Sequence, residues 1–503
     1  MITFLVALVV LVLGFVLYGT FVEKVFGIDP KAETPAITKN DGVDFVPMSG
    51  WRIFLVQFLN IAGLGPIFGA IMGIFFGPSA FLWIVFGTIF AGGVHDYLSG
   101  MLSLRKGGVS LPEIVGSELG SGVRVFMRVL SLVLLLLLTT TFLSGPATLL
   151  QGLAPLSTLP FHGRALPIAW LLIIFAYYAM ATVLPVDKLI GRFYPIFGAM
   201  LLFMGVGIAI VMLTQHGSAM PELTDGLQNR KADGLPLFPM MFVSIACGAI
   251  SGFHGTQSPI MSRCLTNERQ GRWIFYGAMV AEGILALIWA AAAGTFFADP
   301  EQGLDGIGGL QAFASHYDRG TNLPALIVDK VSRSWLGTVG GVLAIIGVIA
   351  APITSGDTAL RSARLIVADF LHIDQKPKMK RLMIALPLFL CVFALVFVNF
   401  EIVWRYFSWT NQTLAMFTLW AGTVWLYKNQ KSEIRNQKYS FGYLIALIPA
   451  LFMTMVSTSY ILIAPEGFRL PEQYRWIGYA IAGVITLACL CGFTFWAKNY
   501  KAK

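Results

Sequence analysis

The chain has 503 residues, 56% of them apolar and 12% charged, roughly half the charged fraction of an ordinary soluble protein. The net charge of +9 sits in short segments between long apolar runs, which argues against a nucleic-acid-binding face and for a polytopic membrane protein. Five cysteines (Cys247, Cys264, Cys391, Cys489 and Cys491) have no C-x-x-C spacing and read as small core residues, not as disulfides or a metal site.

In chain order, apolar runs long enough to cross a bilayer core predict thirteen transmembrane helices: 2–21, 52–76, 80–103, 125–150, 166–184, 190–214, 236–260, 273–297, 337–360, 382–399, 403–427, 440–463 and 476–497. The first run lacks a basic flank and a small-residue cleavage site, so it reads as a retained helix. With the N-terminus outside and the C-terminus cytoplasmic, 26 of the 35 Lys and Arg fall on the cytoplasmic side. The acidic outer segment 298–336 reads as a solvated loop.

The second run is interrupted where a continuous helix is expected. Residues 60–70, N-I-A-G-L-G-P-I-F-G-A, place Asn60, Gly63, Gly65, Pro66 and Gly69 near its centre. One other run carries a comparable interruption, with Gly248, Ser251, Gly252, His254, Gly255, Gln257 and Pro259. Irregular backbone at membrane depth is tolerated only inside protein or beside a wet cavity. Paired interruptions in corresponding halves therefore point to a transporter's binding site. Unwound carbonyls suit a cation, and the N-terminus of a half-helix suits an anion. The competing reading is close helix packing through glycine.

Five spans follow from each interruption, in opposite orientation. The predicted fold is all-α, with a LeuT-like 5+5 inverted repeat whose first and sixth helices are broken. The predicted units are 1–51, an extra helix and cytoplasmic linker; 52–214 and 236–427, the two repeats; and 440–503, two further helices and a short basic tail.

Three carboxylates lie inside predicted spans, where an ionisable group is a functional candidate by default. Asp357 follows Thr354 and Ser355 and precedes Thr358, an oxygen cluster suited to sodium or, at Asp357, to a proton. Its competing reading is an ion pair with Arg361 or Arg364. Asp96 follows His95, a pairing that either relays a proton or anchors helix packing. Glu282 is equally open to coupling or structural hydrogen bonding. His254 reads as a substrate or gate contact, and Asn411 and Gln412 as substrate ligands or helix glue.

An enzyme is not indicated. The six histidines form no i,i+4 metal pair, Ser251 is not in a G-x-S-x-G turn, and no phosphate-binding loop or cofactor signature occurs. A channel or uncoupled facilitator remains the alternative to a carrier.

The chain resembles the carbon starvation protein A (CstA) family of bacterial inner-membrane transporters, in a short form. The resemblance rests on D-P-K-A-E-T-P-A (29–36), N-D-G-V-D-F-V-P (40–47), I-A-G-L-G-P-I-F-G (61–69), F-A-G-G-V-H-D-Y (90–97), I-S-G-F-H-G-T-Q-S-P (250–259), S-G-D-T-A-L-R-S-A-R (355–364) and N-Q-T-L-A (411–415). Leu64 and Ala70 depart from the commoner form of the motif, which has Ala and Pro there. The resemblance implies uptake of small peptides, or of a carboxylate such as pyruvate, when carbon is scarce. The expected partners are that small-molecule substrate, a coupling proton or sodium ion and membrane lipid, with no nucleic acid. The last two spans are a candidate dimer face, and oligomeric state stays open.

Overall fold

The computed structural model describes residues 1–42, 45–161, 164–183, 190–318, 321–371, 373, 378–431 and 440–500. The helices are α1 (Ile2–Phe26), α2 (Gly50–Ile61), α3 (Leu64–Ile74), α4 (Ser79–Arg105), α5 (Leu111–Leu119), α6 (Ser121–Leu153), α7 (Ile168–Val183) and α8 (Ile190–Gln215). They continue with α9 (Leu237–Ser244), α10 (Gly252–Ser262), α11 (Gly277–Phe296), α12 (Gly306–Ser315), α13 (Leu323–Leu371), α14 (Lys378–Val396), α15 (Phe400–Lys431), α16 (Leu444–Ile463) and α17 (Arg475–Asn499). One small hairpin, β1 (Leu159–Phe161) and β2 (Arg164–Leu166), joins α6 to α7.

Among the described residues nine helices are long and apolar enough to cross a membrane, or ten when the bent pair α2–α3 is one span. The chain is thus an all-α, multi-pass membrane protein. Ten of the predicted spans fall on these helices; 166–184 falls on α7, whose apolar stretch Ile168–Met180 is shorter, 403–427 on α15, and 236–260 on α9 and α10, none of which is among them. The cytoplasmic basic segments predicted at 185–192 and 428–438 lie largely outside the described residues.

α6 forms the spine, packing along α13, α15 and α5, while α11 packs against α3 and α10 lies between α4 and α15. Pro146 inside α6 has no N–H, so the carbonyl of Phe142 loses its helical donor; the buried Tyr178 hydroxyl of α7 donates to it at 3.2 Å. A comparable repair occurs in α4. Its wide turn Gly87–Gly92 displaces the carbonyl of Ile89, and the Tyr276 hydroxyl donates to it at 2.7 Å.

Two expectations are corrected. The segment 298–336 is not a plain solvated loop: it holds α12 and the first turns of α13, where Ala325, Ile327, Val328 and Val331 are buried. Asp329, Lys330 and Arg333 on the outer face of that stretch dilute its hydropathy and hide it. α13 bends at Gly337, whose φ of 67° only glycine adopts cheaply, so the predicted start at 337 marks the bend. The cysteines also divide. Cys247 and Cys264 are buried, but Cys391, Cys489 and Cys491 are exposed, on outward faces of α14 and α17. Apolar helix faces at the periphery accept small residues as readily as the core does.

Candidate functional site

Both interruptions are present. α2 ends at Ile61 and α3 starts at Leu64 with a 46° bend through Ala62 and Gly63. α9 ends at Ser244 and α10 starts at Gly252, leaving 245–251 unwound. The helical parts therefore include Gly65, Pro66 and Gly69 on one side and Gly252, Gly255 and Pro259 on the other. Only Gly63 and Gly248 of the candidate glycines lie in the breaks themselves.

The second break packs on α3, the half-helix that follows the first. A methyl at Gly65 would stand 2.5 Å from Cβ of Cys247, one at Gly69 would stand 3.0 Å from the carbonyl of Ser244, and one at Gly73 would stand 2.2 Å from the Ile245 side chain. These three glycines are four residues apart, so they form one stripe on α3 that seats the unwound segment. Gly252 serves similarly against the backbone of Asn411, 2.3 Å from its would-be Cβ. At these positions glycine permits backbone approach, the packing role that spacing alone left open.

Interrupted helices expose backbone groups that hydrocarbon cannot satisfy. Here side chains of other helices take them. The Trp83 indole donates to the carbonyl of Phe242 at 3.2 Å, and Gln412 donates to the same carbonyl. Thr88 donates to the carbonyl of Gly248 at 3.1 Å. Asn411 accepts from the N–H of Phe253 at 2.7 Å and from the Ser251 hydroxyl at 3.1 Å. One N–H of the half-helix N-terminus read as an anion site, that of Phe253, is thus taken by a neutral amide. On the other break, the Ser355 hydroxyl reaches the carbonyl of Asn60 at 3.1 Å and that of Ala351 at 2.9 Å. Sequence reasoning missed Trp83 and Thr88; both are polar-tipped residues in an otherwise apolar run, the available signal.

Gln257 differs from these. It is buried on α10, and neither its amide nitrogen nor its oxygen has a partner among the described residues. An unmet buried amide costs about 1–3 kcal/mol per group, so the site favours a polar guest there.

Four titratable residues meet below this point. Oδ1 of Asp96 lies 2.8 Å from Nδ1 of His95, and its Oδ2 lies 2.8 Å from Nδ1 of His254. On the far side of the His254 ring, Nε2 faces Oε2 of Glu282 at 3.2 Å. All four are wholly buried. Three helices, α4, α10 and α11, contribute, so residues separated by more than 180 positions form one chain of contacts.

The structure does not bring Asp357 to them. Ser355 and Asp357 are two residues apart on α13 and so point about 200° apart around it. Ser355 faces the α2–α3 break, whereas Asp357 lies toward Tyr177 and Tyr178 of α7 and 3.9 Å from Arg361. α13 continues to Leu371, beyond the predicted end, which puts Arg361 and Arg364 on the Asp357 face. The Thr354 side chain lies outside the described residues.

The two ends of the bundle differ. At one, the segment 27–48 straps the helix ends together. Arg105 pairs with the buried Glu268 at 2.9 Å and donates to the carbonyl of Gly27 at 2.6 Å. The N–H of Asp29 donates to Glu268 at 2.6 Å, Asn267 donates to the carbonyl of Pro30 at 2.9 Å, and Lys39 to that of Gly107 at 2.9 Å. The N–H of Met48 bonds the carbonyl of Cys264 at 3.2 Å, lacing the start of α2 to the end of α10. Nearby, burial alone would raise the Glu118 carboxyl, but hydrogen bonds from Lys106 and Lys428 hold it below the usual carboxylate range. At the other end a cavity of about 450 Å³ is lined by Thr140, Ser144, Asp318, Asn322, Asp329 and Phe400, among others. A cavity of about 160 Å³ adjoins it at Asp318, Thr321 and Phe400.

Comparison with known proteins identifies a family and a fold. The family described as Carbon starvation protein CstA matches residues 1–162 and 154–303. A Haemophilus influenzae membrane protein is 45% identical over 349 residues, 61% of this chain and 94% of its own. The pyruvate/proton symporter BtsT of Escherichia coli is 28% identical, over 61% of this chain and 51% of BtsT. The peptide transporter CstA of Campylobacter jejuni is 30% identical, over 56% of this chain and 48% of its own. The chain thus spans about half the length of these named transporters. Among solved structures, a mutant Eremococcus coleocola manganese transporter superposes with a TM-score of 0.56 at 13% identity, over 89% of this chain and 93% of that one. MhsT in complex with L-phenylalanine gives 0.55 at 16% identity, over 80% and 98%. At these identities the likeness shows the fold alone. The named relatives are transporters, not enzymes.

Proposed function

The chain belongs to the carbon starvation protein CstA family, and from that premise we propose that it is a secondary active transporter importing a small peptide or a carboxylate such as pyruvate. It works by alternating access around the two helix breaks, with cation symport. The core is a 5+5 inverted repeat within thirteen membrane crossings, 52–214 and 236–427, flanked by 1–51 and 440–503. It sits in the bacterial inner membrane with the N-terminus outside and the C-terminus cytoplasmic. In that orientation the cavity beside Asp318 and Asn322 is the outer vestibule and the 27–48 strap closes the cytoplasmic end.

One observation carries the reading. The second break packs on the half-helix that follows the first, backbone groups of both are met by α4, α13 and α15, and Gln257 on α10 is left without a partner among the described residues. A packing defect would not enlist donors and acceptors from three other helices. Substrate contacts are assigned to Asn60, Gly63, Ser251, His254, Gln257 and Asn411. Gly65, Gly248 and Gly252 shape the space. Ser355, with the carbonyl of Asn60, is the sodium alternative for coupling.

The test is uptake by the full-length chain in proteoliposomes. Pyruvate and dialanine are offered under separate inward proton and sodium gradients. A carrier accumulates one of them against its gradient and shows counterflow; uptake that only equilibrates, without counterflow, overturns the reading in favour of a channel or facilitator.

A further inference from the structure

We infer that the coupling ion is a single proton held between His254 and Glu282, and that its presence clasps the half-helix α10 to the continuous helices α4 and α11. The inference rests on the transporter reading above and names the ion and its site.

Two contacts of Asp96 and one approach to Glu282 point to the proton. Asp96 offers its two carboxylate oxygens to two imidazoles, each through Nδ1 at 2.8 Å. An ionised carboxylate only accepts, so both Nδ1 atoms donate, which fixes the tautomer of each ring from its partner. With Nδ1 of His254 committed, its Nε2 either carries a proton or presents a lone pair. That atom lies 3.2 Å from Oε2 of Glu282, although no hydrogen bond joins the two in this structure. If neither carried a proton, two lone pairs would face each other in a wholly buried site. One proton between them turns the contact from repulsive to attractive, as imidazolium with carboxylate or as imidazole with carboxylic acid.

The surroundings leave that proton without a substitute. α4 presents His95 and Asp96 to His254, and α11 presents Glu282. Cys247 from the unwound segment lies within electrostatic reach of Glu282 and Asp96. Asn411 of α15 holds the adjoining turn of α10 at Phe253. Among the described residues no lysine or arginine forms an ion pair with Asp96 or Glu282. Removing the proton therefore leaves two buried carboxylates with no cation, a cost of several kcal/mol that drives the site apart.

The consequence is mechanical. His254 rides on α10, directly after the break, while Asp96 and Glu282 sit on unbroken helices. A proton arriving from the outer side completes the clasp. Its departure to the cytoplasmic side breaks only the N–H or O–H bond it occupied and releases α10 to swing. Asp357, on the far flank of α13 beside Arg361, is not the carrier.

The experiment compares wild type with Glu282→Gln, Glu282→Asp, His254→Gln and Asp357→Asn in proteoliposomes, with pyruvate and dialanine as probes. In wild type and Glu282→Asp an inward proton gradient drives accumulation. Glu282→Gln and His254→Gln lose at least tenfold in accumulation ratio, while slowed exchange persists. Asp357→Asn keeps proton-driven accumulation. Because a substitution can impair folding, infrared difference spectra over a pH titration supply a second readout. A pH-dependent protonated-carboxyl or imidazolium band is expected in wild type and is lost in both Glu282→Gln and His254→Gln. Proton-driven accumulation undiminished in Glu282→Gln and His254→Gln overturns the inference. So does accumulation in wild type that follows sodium and ignores protons, although the transporter reading then stands. If wild type transports neither probe, the transporter reading fails with it.

Discussion

The two helix breaks pose one problem at different lengths. The α2–α3 break is a two-residue kink that exposes the C-terminal end of α2, a source of carbonyls. There the Ser355 hydroxyl reaches the carbonyl of Asn60. The α9–α10 break is seven residues long and exposes both an unpaired C-terminal end, at Phe242, and an N-terminal end, at Phe253. Its repairs are Trp83, Gln412, Thr88 and Asn411. A long unwound segment is carried by several surrounding helices. The titratable residue His254 follows the longer break directly, in the first turn of α10.

The largest expected effect falls on both breaks together. Met48 and Cys264 lace the start of α2 to the end of α10 within a strap fastened by Arg105 and Glu268. Glu268→Ala removes one partner of a buried pair, which costs about 3–5 kcal/mol. Unfolding in mixed micelles is expected to show that loss, with α2 and α10 labelled more readily by thiol reagents at introduced cysteines. Labelling raised at one half-helix only would separate the breaks and undo the idea of a shared fastening.

The next effect distinguishes them. Asn411→Ala leaves the Phe253 N–H buried without an acceptor and is expected to cost about 1–3 kcal/mol, with Asn411→Asp retaining most of the stability because the acceptor survives. Ser355→Ala removes one neutral hydrogen bond at the shorter break and is expected to cost about 0.5–1.5 kcal/mol. Equal losses from the two alanine variants, read from the same melts, would contradict the difference in how the breaks are supported.

The smallest effect lies outside the breaks and calibrates the rest. Lys106 and Lys428 hold the folded-state pKa of Glu118 below its unfolded value. Its contribution is therefore fully present above the ordinary carboxylate pKa and is lost as pH falls through the depressed folded value. The difference in melting temperature between wild type and Glu118→Gln should shrink on acidification. A difference that grows toward low pH would show that the carboxylate is not paired as described.

Much of this organisation was legible in the sequence, for identifiable reasons. Spans were readable because membrane helices are apolar all round. The breaks were readable because Gly63 and Gly248 interrupt such runs. Three things were not. The glycines at 65, 69 and 73 look alike whether they bind a ligand or admit a neighbour's backbone, and only the position of Ser244–Cys247 decides it. The union of Asp96, His254 and Glu282 depends on three helices meeting, a fact with no local trace. Asp357 looked suited to the first break because it is close to Ser355 in sequence, but two residues along a helix turns a side chain to the opposite flank. The amphipathic start of α13 was hidden by Asp329, Lys330 and Arg333, which dilute a hydropathy window while facing away from the core.

The central claim is that the two breaks enclose the transported solute. A structure of the full-length chain in lipid nanodiscs, saturated with whichever of pyruvate or dialanine it accumulates, tests this most directly. The account predicts solute density between 60–65 and 245–257, within hydrogen-bonding reach of Gln257. Density confined to the vestibule beside Asp318 and Asn322, with the second break packed on α3 as before and transport intact, would contradict it.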